Sequence, residues 1–151
     1  MKRTILIAAL LIGMISCSED SMDIKEPVTT TFLEKNDGKI FRDGLATYAS
    51  TTVFDKNNPL PVTRYNFNRD AYRVWCYKEI NYKADYTDLE DRLIAEYTMD
   101  GINYEVTYKT AYNEHLRVNE LTVVLRTNGY LTVELKKQER KSFPTEIDKC
   151  N

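Results

Sequence analysis

Residues 92–109 read RLIAEYTMDGINYEVTYK, two runs of alternating apolar and polar residues joined by Asp100-Gly101. A two-residue Asp-Gly loop between such runs predicts a β-hairpin. Its register pairs Met99 with Ile102, Tyr97 with Tyr104, Ala95 with Val106, and Leu93 with Tyr108. These four pairs give the hairpin one continuous apolar face. The same register places Glu96 opposite Glu105, a repulsion that solvent or neighbouring side chains must relieve.

A second hairpin is predicted around Asn128-Gly129. A two-residue loop there would put the apolar residues of the two strands on opposite faces. A three-residue loop, Thr127–Gly129, closed by a glycine bulge restores a common face. We therefore predict Leu121, Val123 and Leu125 opposite Leu135, Val133 and Leu131, with Glu120 opposite Lys136. Lys136-Lys137 is interpreted as a solvated strand end.

Upstream strands are predicted at Ile40–Arg42, Thr47–Phe54, around Thr63, Tyr65 and Phe67, and at Tyr72–Ile80. Thr31 and Glu34 form a capping-box pattern, which predicts one helical turn over Phe32–Asn36 that ends near Gly38. The chain is therefore expected to be all-β. About eight antiparallel strands in sequential hairpins favour an up-and-down barrel over a sandwich.

The first residues carry an export signal. Lys2 and Arg3 precede an apolar run, Ile5–Ile15, that is too short for a permanent membrane span. Met14-Ile15-Ser16-Cys17 resembles the lipobox of bacterial lipoproteins, although Met14 stands where Leu is usual. The resemblance implies a signal peptide over residues 1–16 and acylation of Cys17 by membrane fatty acids such as palmitate. The alternative is an ordinary cysteine beside a cut made elsewhere.

Residues 17–28 are polar and aperiodic, which indicates a flexible tether ahead of a domain at 29–151. Ser18-Glu19-Asp20 resembles the export signal of Bacteroidota lipoproteins, which implies an outer-membrane lipoprotein displayed at the cell surface. The periplasmic face of that membrane stays open, as does a simple solvated tether.

A wider resemblance follows from several short motifs in the domain. Thr31–Gly38, Asn57-Asn58-Pro59, Cys76-Tyr77 and the final Cys150 resemble the small lipocalin-like lipoproteins of Bacteroidota. Phe41 stands where that family often has Trp. The resemblance implies a calycin-type barrel with a cavity, but most members have no known ligand, so it assigns no binding residue.

With Cys17 acylated, Cys76 and Cys150 remain as an even pair in an oxidising compartment. A bridge between them would tie the carboxyl-terminal tail to a strand. The alternative is a buried apolar Cys76 and a free terminal thiol.

Composition argues against several functions. Lys and Arg number 21 and Asp and Glu 23, without a basic stripe, so nucleic acid is not expected. His115 is the only histidine, and no second histidine or free cysteine is available to share a site with it. Metal-dependent hydrolysis and Cys-His catalysis are therefore not expected. The acidic residues Asp85, Asp88, Glu90 and Asp91 lack calcium-loop spacing. We therefore expect no enzyme, no cofactor and no metal.

Tyrosine is abundant, with eleven residues. We predict that Tyr65, Trp75, Tyr97, Tyr104 and Tyr108 line the barrel interior, which is either a filled core or a cavity for one small apolar ligand. The first function hypothesis is a membrane-anchored lipocalin-type binding module. The second is an accessory lipoprotein that docks onto an outer-membrane uptake or envelope complex.

Overall fold

The computed structural model describes residues 29–43, 50–69, 75–143 and 147–150. The predicted signal peptide, the tether, Cys17 and Ser18-Glu19-Asp20 lie outside the described residues. Within those ranges, no helix has both the length and the apolar character that a membrane crossing requires.

One short helix and ten strands make up the described fold. The elements are α1 (Phe32–Asn36), β1 (Ile40–Arg42), β2 (Thr51–Phe54), β3 (Val62–Arg69), β4 (Trp75–Asn81), β5 (Asp85–Asp88), β6 (Arg92–Met99), β7 (Ile102–Asn113), β8 (Val118–Thr127), β9 (Tyr130–Arg140) and β10 (Asp148–Lys149). The predicted all-β class is confirmed. The helical turn is also confirmed, and both hydrogen bonds of the Thr31–Glu34 capping box are present.

All ten strands form one sheet in the order β10-β4-β3-β2-β1-β9-β8-β7-β6-β5. Consecutive strands are neighbours except where β4 is followed by β5 and where β9 is followed by β10. β1 pairs with β9, β10 pairs with β4, and β10 and β5 are the two edges of the sheet. The hydrogen bonding is therefore not closed, and the predicted closed barrel of about eight strands is not confirmed. The strands that sequence reasoning missed are the short β5 and β10.

The break between β4 and β5 has a simple geometry. Eight pairings separate these strands along the sheet, all of them antiparallel, so β4 and β5 run in the same direction. Only residues 82–84 join them. The chain therefore pairs with β3 as strand β4 and, after a three-residue connection, pairs with β6 as strand β5. Such a short connection holds the two ends of the sheet close to each other.

The first hairpin has the predicted register, from Met99 opposite Ile102 to Leu93 opposite Tyr108. Asp100 and Gly101 both have positive φ, 51° and 75°, as a tight hairpin turn requires. Glu105, which faces Glu96, pairs on its other side with Arg126 of β8 at 2.8 Å. This ion pair offsets the repulsion between the two glutamates.

The predicted three-residue loop of the second hairpin is wrong. Thr127 pairs with Tyr130 across a two-residue turn, Asn128-Gly129, in which φ is 49° and 83°. The register shift lies inside the strands, between Leu125 and Arg126. A primed two-residue turn matches the strand twist, so the bulge moves into the ladder. Val123 and Leu125 face Leu135 and Val133, two positions from the predicted register. Leu121 faces Lys137 rather than Leu135, and Leu131 faces Arg126 rather than Leu125.

The core lies under α1, at one end of the curled sheet. Phe54 contacts Phe32, Phe41 and Tyr108 through ring centroids 5.2, 5.9 and 5.7 Å apart. Val62 of β3 and Leu93 of β6 belong to the same buried cluster, although their strands stand far apart in the sheet order. The sheet therefore curls back toward itself and leaves the space above this aromatic layer enclosed.

Candidate functional site

The enclosed space contains a cavity of about 270 Å³. Strands from both halves of the sheet, β2 and β3 on one side and β6 to β9 on the other, form its walls. The cavity therefore lies on the concave inner face of the curled sheet. The lining residues are Thr52, Val62, Arg64, Tyr82, Ala95, Tyr97, Val106, Tyr108, Val123, Leu125, Val133, Leu135 and Lys137. Val133 and Leu135 of β9 are 38% and 37% exposed, so the cavity opens beside this strand.

The wall formed by β6, β7 and β8 is apolar apart from two tyrosine hydroxyls. Ala95, Val106, Val123 and Leu125 point into the cavity because they share the inward phase of their strands. Tyr108 is buried at 6% exposure, and burial raises the pKa of its phenol well above the usual value. An apolar pocket with a few polar groups is the ordinary form of a small-molecule site.

Tyr97 and Tyr108, two of the five predicted lining residues, do line the cavity. Tyr97 lies between two other tyrosines, with ring centroids 5.0 Å from Tyr104 and 5.9 Å from Tyr82. Burial raises the pKa of Tyr97, and Tyr82 and Tyr104 add to the effect. Tyr104 is thus one ring removed from the cavity. Tyr82, which sequence reasoning did not single out, is part of the lining.

Tyr65 and Trp75 do not reach the cavity. Their side chains are on the opposite face from Arg64, which lines it, because neighbouring strand residues point to opposite faces. Tyr65 packs on Tyr77 and Phe143, with centroids 5.6 and 4.7 Å away. The guanidinium of Arg69 lies over the Trp75 ring, 5.0 Å from its centroid. The prediction assigned β3 the wrong face because its outer side is also aromatic, covered by the carboxyl-terminal tail.

Cys76 and Cys150 form a disulfide, with Cα atoms 4.9 Å apart. It fastens β10, which pairs in parallel with β4 through Asp148 and Cys76. The bridge fastens the tail at the β4 edge of the sheet, and Phe143 packs against the outer face on Tyr65 and Tyr77. The disulfide is therefore a structural element away from the cavity.

The wall formed by β2, β3 and β9 carries the polar side chains of the cavity, Thr52, Arg64 and Lys137, which sequence reasoning missed. Lys137 is 2% exposed and donates to the hydroxyl and carbonyl oxygens of Ser50 at 3.0 and 3.2 Å. Arg64 donates from Nε to the same hydroxyl at 3.1 Å. The interpretation of Lys137 as a solvated strand end is wrong. The inward phase of Val133 and Leu135 continues to Lys137, a signal that could have placed it inside.

The pKa of Lys137 is lowered to about 8, and desolvation by burial is the largest cause. Within that net value, Asp43, whose Oδ1 lies 3.9 Å from Nζ, acts to raise the pKa and Arg64 acts to lower it. At neutral pH the group still carries its charge for most of the time. The cavity therefore combines an apolar wall with a cationic one.

The acidic residues Asp85, Asp88, Glu90 and Asp91 are divided between β5 and the loop after it. The Asp88 carboxylate accepts from the backbone N–H of Leu33 at 3.1 Å, which ties α1 to β5. Among the residues that the structure describes, no group of three or more His, Cys, Asp or Glu side chains is placed to hold a metal ion.

Comparison with protein-family models, with curated proteins and with solved structures gives no match to this chain.

Proposed function

We propose that this chain is an outer-membrane-anchored lipoprotein whose domain binds a small, largely apolar ligand. The observation that carries the proposal is the cavity of about 270 Å³, which the side chains of the curled sheet leave unfilled. A filled core would favour a purely structural role. The lipobox-like motif at Cys17 supplies the anchor, and the acidic residues that follow it favour display at the cell surface.

We further propose that the fold is a lipocalin-type up-and-down barrel with one broken strand. Because β4 and β5 run in the same direction and are joined by three residues, they count as one bent strand. Counted in this way, and with β10 set aside as a tail, the sheet has eight strands. The pairing of β1 with β9 then corresponds to the contact between first and last strands that closes such a barrel.

Native mass spectrometry of the full chain, purified from its own envelope, tests the binding function. We expect a small-molecule adduct that organic extraction removes. A single mass, equal to that of the lipidated polypeptide before and after extraction, would argue against a resident ligand.

The docking hypothesis is a second candidate, which the exposed hairpin tips favour. Tyr130 is 79% and Leu131 61% exposed at the tip of the second hairpin. The first hairpin tip lies beside it, because the backbone N–H of Asn128 donates to the carbonyl of Asn103 at 2.8 Å. Met99, at the tip of the first hairpin, is 53% exposed. Apolar surface of this kind is typical of interaction sites.

A photo-crosslinking amino acid at position 130 tests the docking hypothesis in living cells. We expect a crosslink to one outer-membrane protein that disappears when Leu131 is replaced by Glu. The same amino acid at position 114, in the turn after β7, is the control. Crosslinks that are equal at both positions, or that L131E leaves unchanged, would contradict docking through this surface.

A further inference from the structure

The polar wall of the cavity holds two positive charges close together. Lys137 of β9 and Arg64 of β3 approach from opposite sides of β2, and both donate to the hydroxyl of Ser50. Two cations on one acceptor repel each other, and this repulsion contributes to the lowered pKa of Lys137. Such an arrangement costs stability, so a partner that relieves it would bind favourably.

The protein itself supplies only part of the compensating charge. Within the described ranges, Asp43 is the one carboxylate within 4 Å of either cation, and its nearer oxygen lies 3.9 Å from Lys137 Nζ. Asp43 is also partly open to solvent, which weakens its effect. One acidic and two basic groups leave this wall with a net positive charge.

Among the residues that the structure describes, the donors on this wall do not all have a partner. Arg64 bonds through Nε to Ser50 and Asn66, both at 3.1 Å, while its two terminal nitrogens make no hydrogen bond to any described residue. The Ser50 hydroxyl accepts from both cations and keeps its own proton to donate. A guanidinium end and a hydroxyl beside a buried ammonium suit a carboxylate, which accepts several hydrogen bonds.

Cavity size limits the remainder of the ligand. A water molecule in the liquid occupies about 30 Å³, so 270 Å³ corresponds to about nine groups of that size. The opposite wall offers Val106, Val123 and Leu125 to an apolar chain. A straight chain of about eight carbons fits this space with one polar end.

We infer that the cavity selects an anionic amphiphile: a carboxylate held by Arg64 and Lys137, with a short apolar chain against β7 and β8. This inference rests on the proposed binding function and adds the charge of the ligand to it. A neutral or cationic molecule of the same shape would leave the paired cations uncompensated.

Three probes of equal chain length test the inference: octanoate, 1-octanol and octylammonium. Binding to the full chain in lipid nanodiscs is measured by calorimetry at pH 7, with empty nanodiscs as the blank. We expect octanoate to bind at least tenfold more tightly than either of the others. Equal binding of octanoate and octanol would overturn the inference and leave the binding function standing. Binding of none of the three would count against the binding function itself.

Variants locate the effect in these two side chains. We expect R64Q and K137M each to weaken octanoate binding at least tenfold and to leave octanol binding unchanged. Lys136 is the matched control, because it neighbours Lys137 on the same strand with its side chain 61% exposed, so K136M should bind octanoate normally. Arg64 is only partly buried, so R64Q keeps the test valid if K137M does not fold. Normal octanoate binding by R64Q would overturn the inference.

A pH series adds a readout that a purely structural role would not change. The charged groups that face Lys137 are Asp43 after β1 and Arg64 on β3. The pKa of Lys137 is about 8, so its ammonium deprotonates from pH 7 to 9.5. Octanoate affinity should fall about tenfold from pH 7 to 9.5 in the natural protein, and much less in K137M. An unchanged affinity in the natural protein would contradict a role for Lys137.

Discussion

The buried ammonium of Lys137 lies 3.0 Å from the Ser50 hydroxyl, at the inner end of a strand whose outer half is exposed. Burial of a charge without full compensation costs free energy, so the strand would be more stable with an apolar residue at this position. The presence of Lys137 is therefore best explained by what it contacts inside the cavity. This relationship is the basis of the ligand specificity proposed above.

The burial of Lys137 makes stability depend on pH. Its pKa in the folded protein is about 8 against a usual 10.5, so between these values the unfolded chain binds a proton that the folded protein releases. The free energy of unfolding should therefore rise with pH over this interval, by at most about 1.4 kcal/mol per unit from this group. Urea unfolding of the natural protein and K137M at pH 7, 8, 9 and 10 measures the effect.

In that series the difference between the natural protein and K137M should shift in favour of the natural protein as pH rises. K136M, which removes an exposed lysine, should track the natural protein at every pH. A K137M curve parallel to the natural one would show that Lys137 is solvated.

The aromatic layer under the cavity is the second feature open to test. Phe54 has no exposed surface and contacts three rings, so F54A should lower the free energy of unfolding by about 3–5 kcal/mol. L131A, at a side chain that is mostly in solvent, is the control and should change stability by less than about 0.5 kcal/mol. Equal effects of the two substitutions would mean that the core does not lie where the structure places it.

The disulfide should stabilise the fold by restricting the unfolded chain. Its cysteines are separated by 74 positions, and closure of a loop of that length contributes about 4 kcal/mol in the chain-entropy model. The C76S/C150S double variant should therefore melt at a much lower temperature than the natural protein. A reducing agent should lower the melting temperature of the natural protein and leave that of the variant unchanged. If the reducing agent had no effect on either protein, the bridge would not be formed in solution.

Anchoring depends on Cys17, which lies outside the described residues. Metabolic labelling with palmitate should mark the natural protein and not C17S, and only the natural protein should remain with outer membranes after a salt wash. C150S is the matched cysteine control and should be labelled normally. Labelling of C17S would contradict the lipobox interpretation.

Local signals in the sequence predicted local structure well. The Asp100-Gly101 turn and the alternation around it fix the register of the first hairpin, and the Thr31–Glu34 capping box fixes α1. The register of the second hairpin was harder to predict. A bulge at Gly129 in the turn and a bulge within the strands both bring Val123 and Leu125 to the same face as Val133 and Leu135. The alternation of apolar and polar residues therefore placed Val123, Leu125, Val133 and Leu135 on one face correctly, but it misplaced Leu131. It could not distinguish registers that differ by two residues.

The elements that sequence reasoning missed depend on distant contacts. β10 is only two residues long, so residues 148–149 contain no alternating pattern that would predict a strand. It pairs with β4 beside the disulfide. The position of Tyr65 in the alternating pattern of β3 predicts an inward side chain. In the structure it packs against Phe143 on the outer face, and Phe143 lies 78 residues later in the chain. The cavity itself is the space left between distant strands, and local periodicity carries no information about its volume.

The most direct test of the binding cavity is to fill it. Val133 lines the cavity near its opening and can accept a larger side chain, whereas neighbouring Glu134 faces outward. V133W and E134W, purified from the envelope as full chains, are compared with the natural protein by native mass spectrometry. The account predicts that the extractable adduct disappears from V133W and persists in E134W. An adduct retained in full by V133W would show that the ligand does not occupy this cavity.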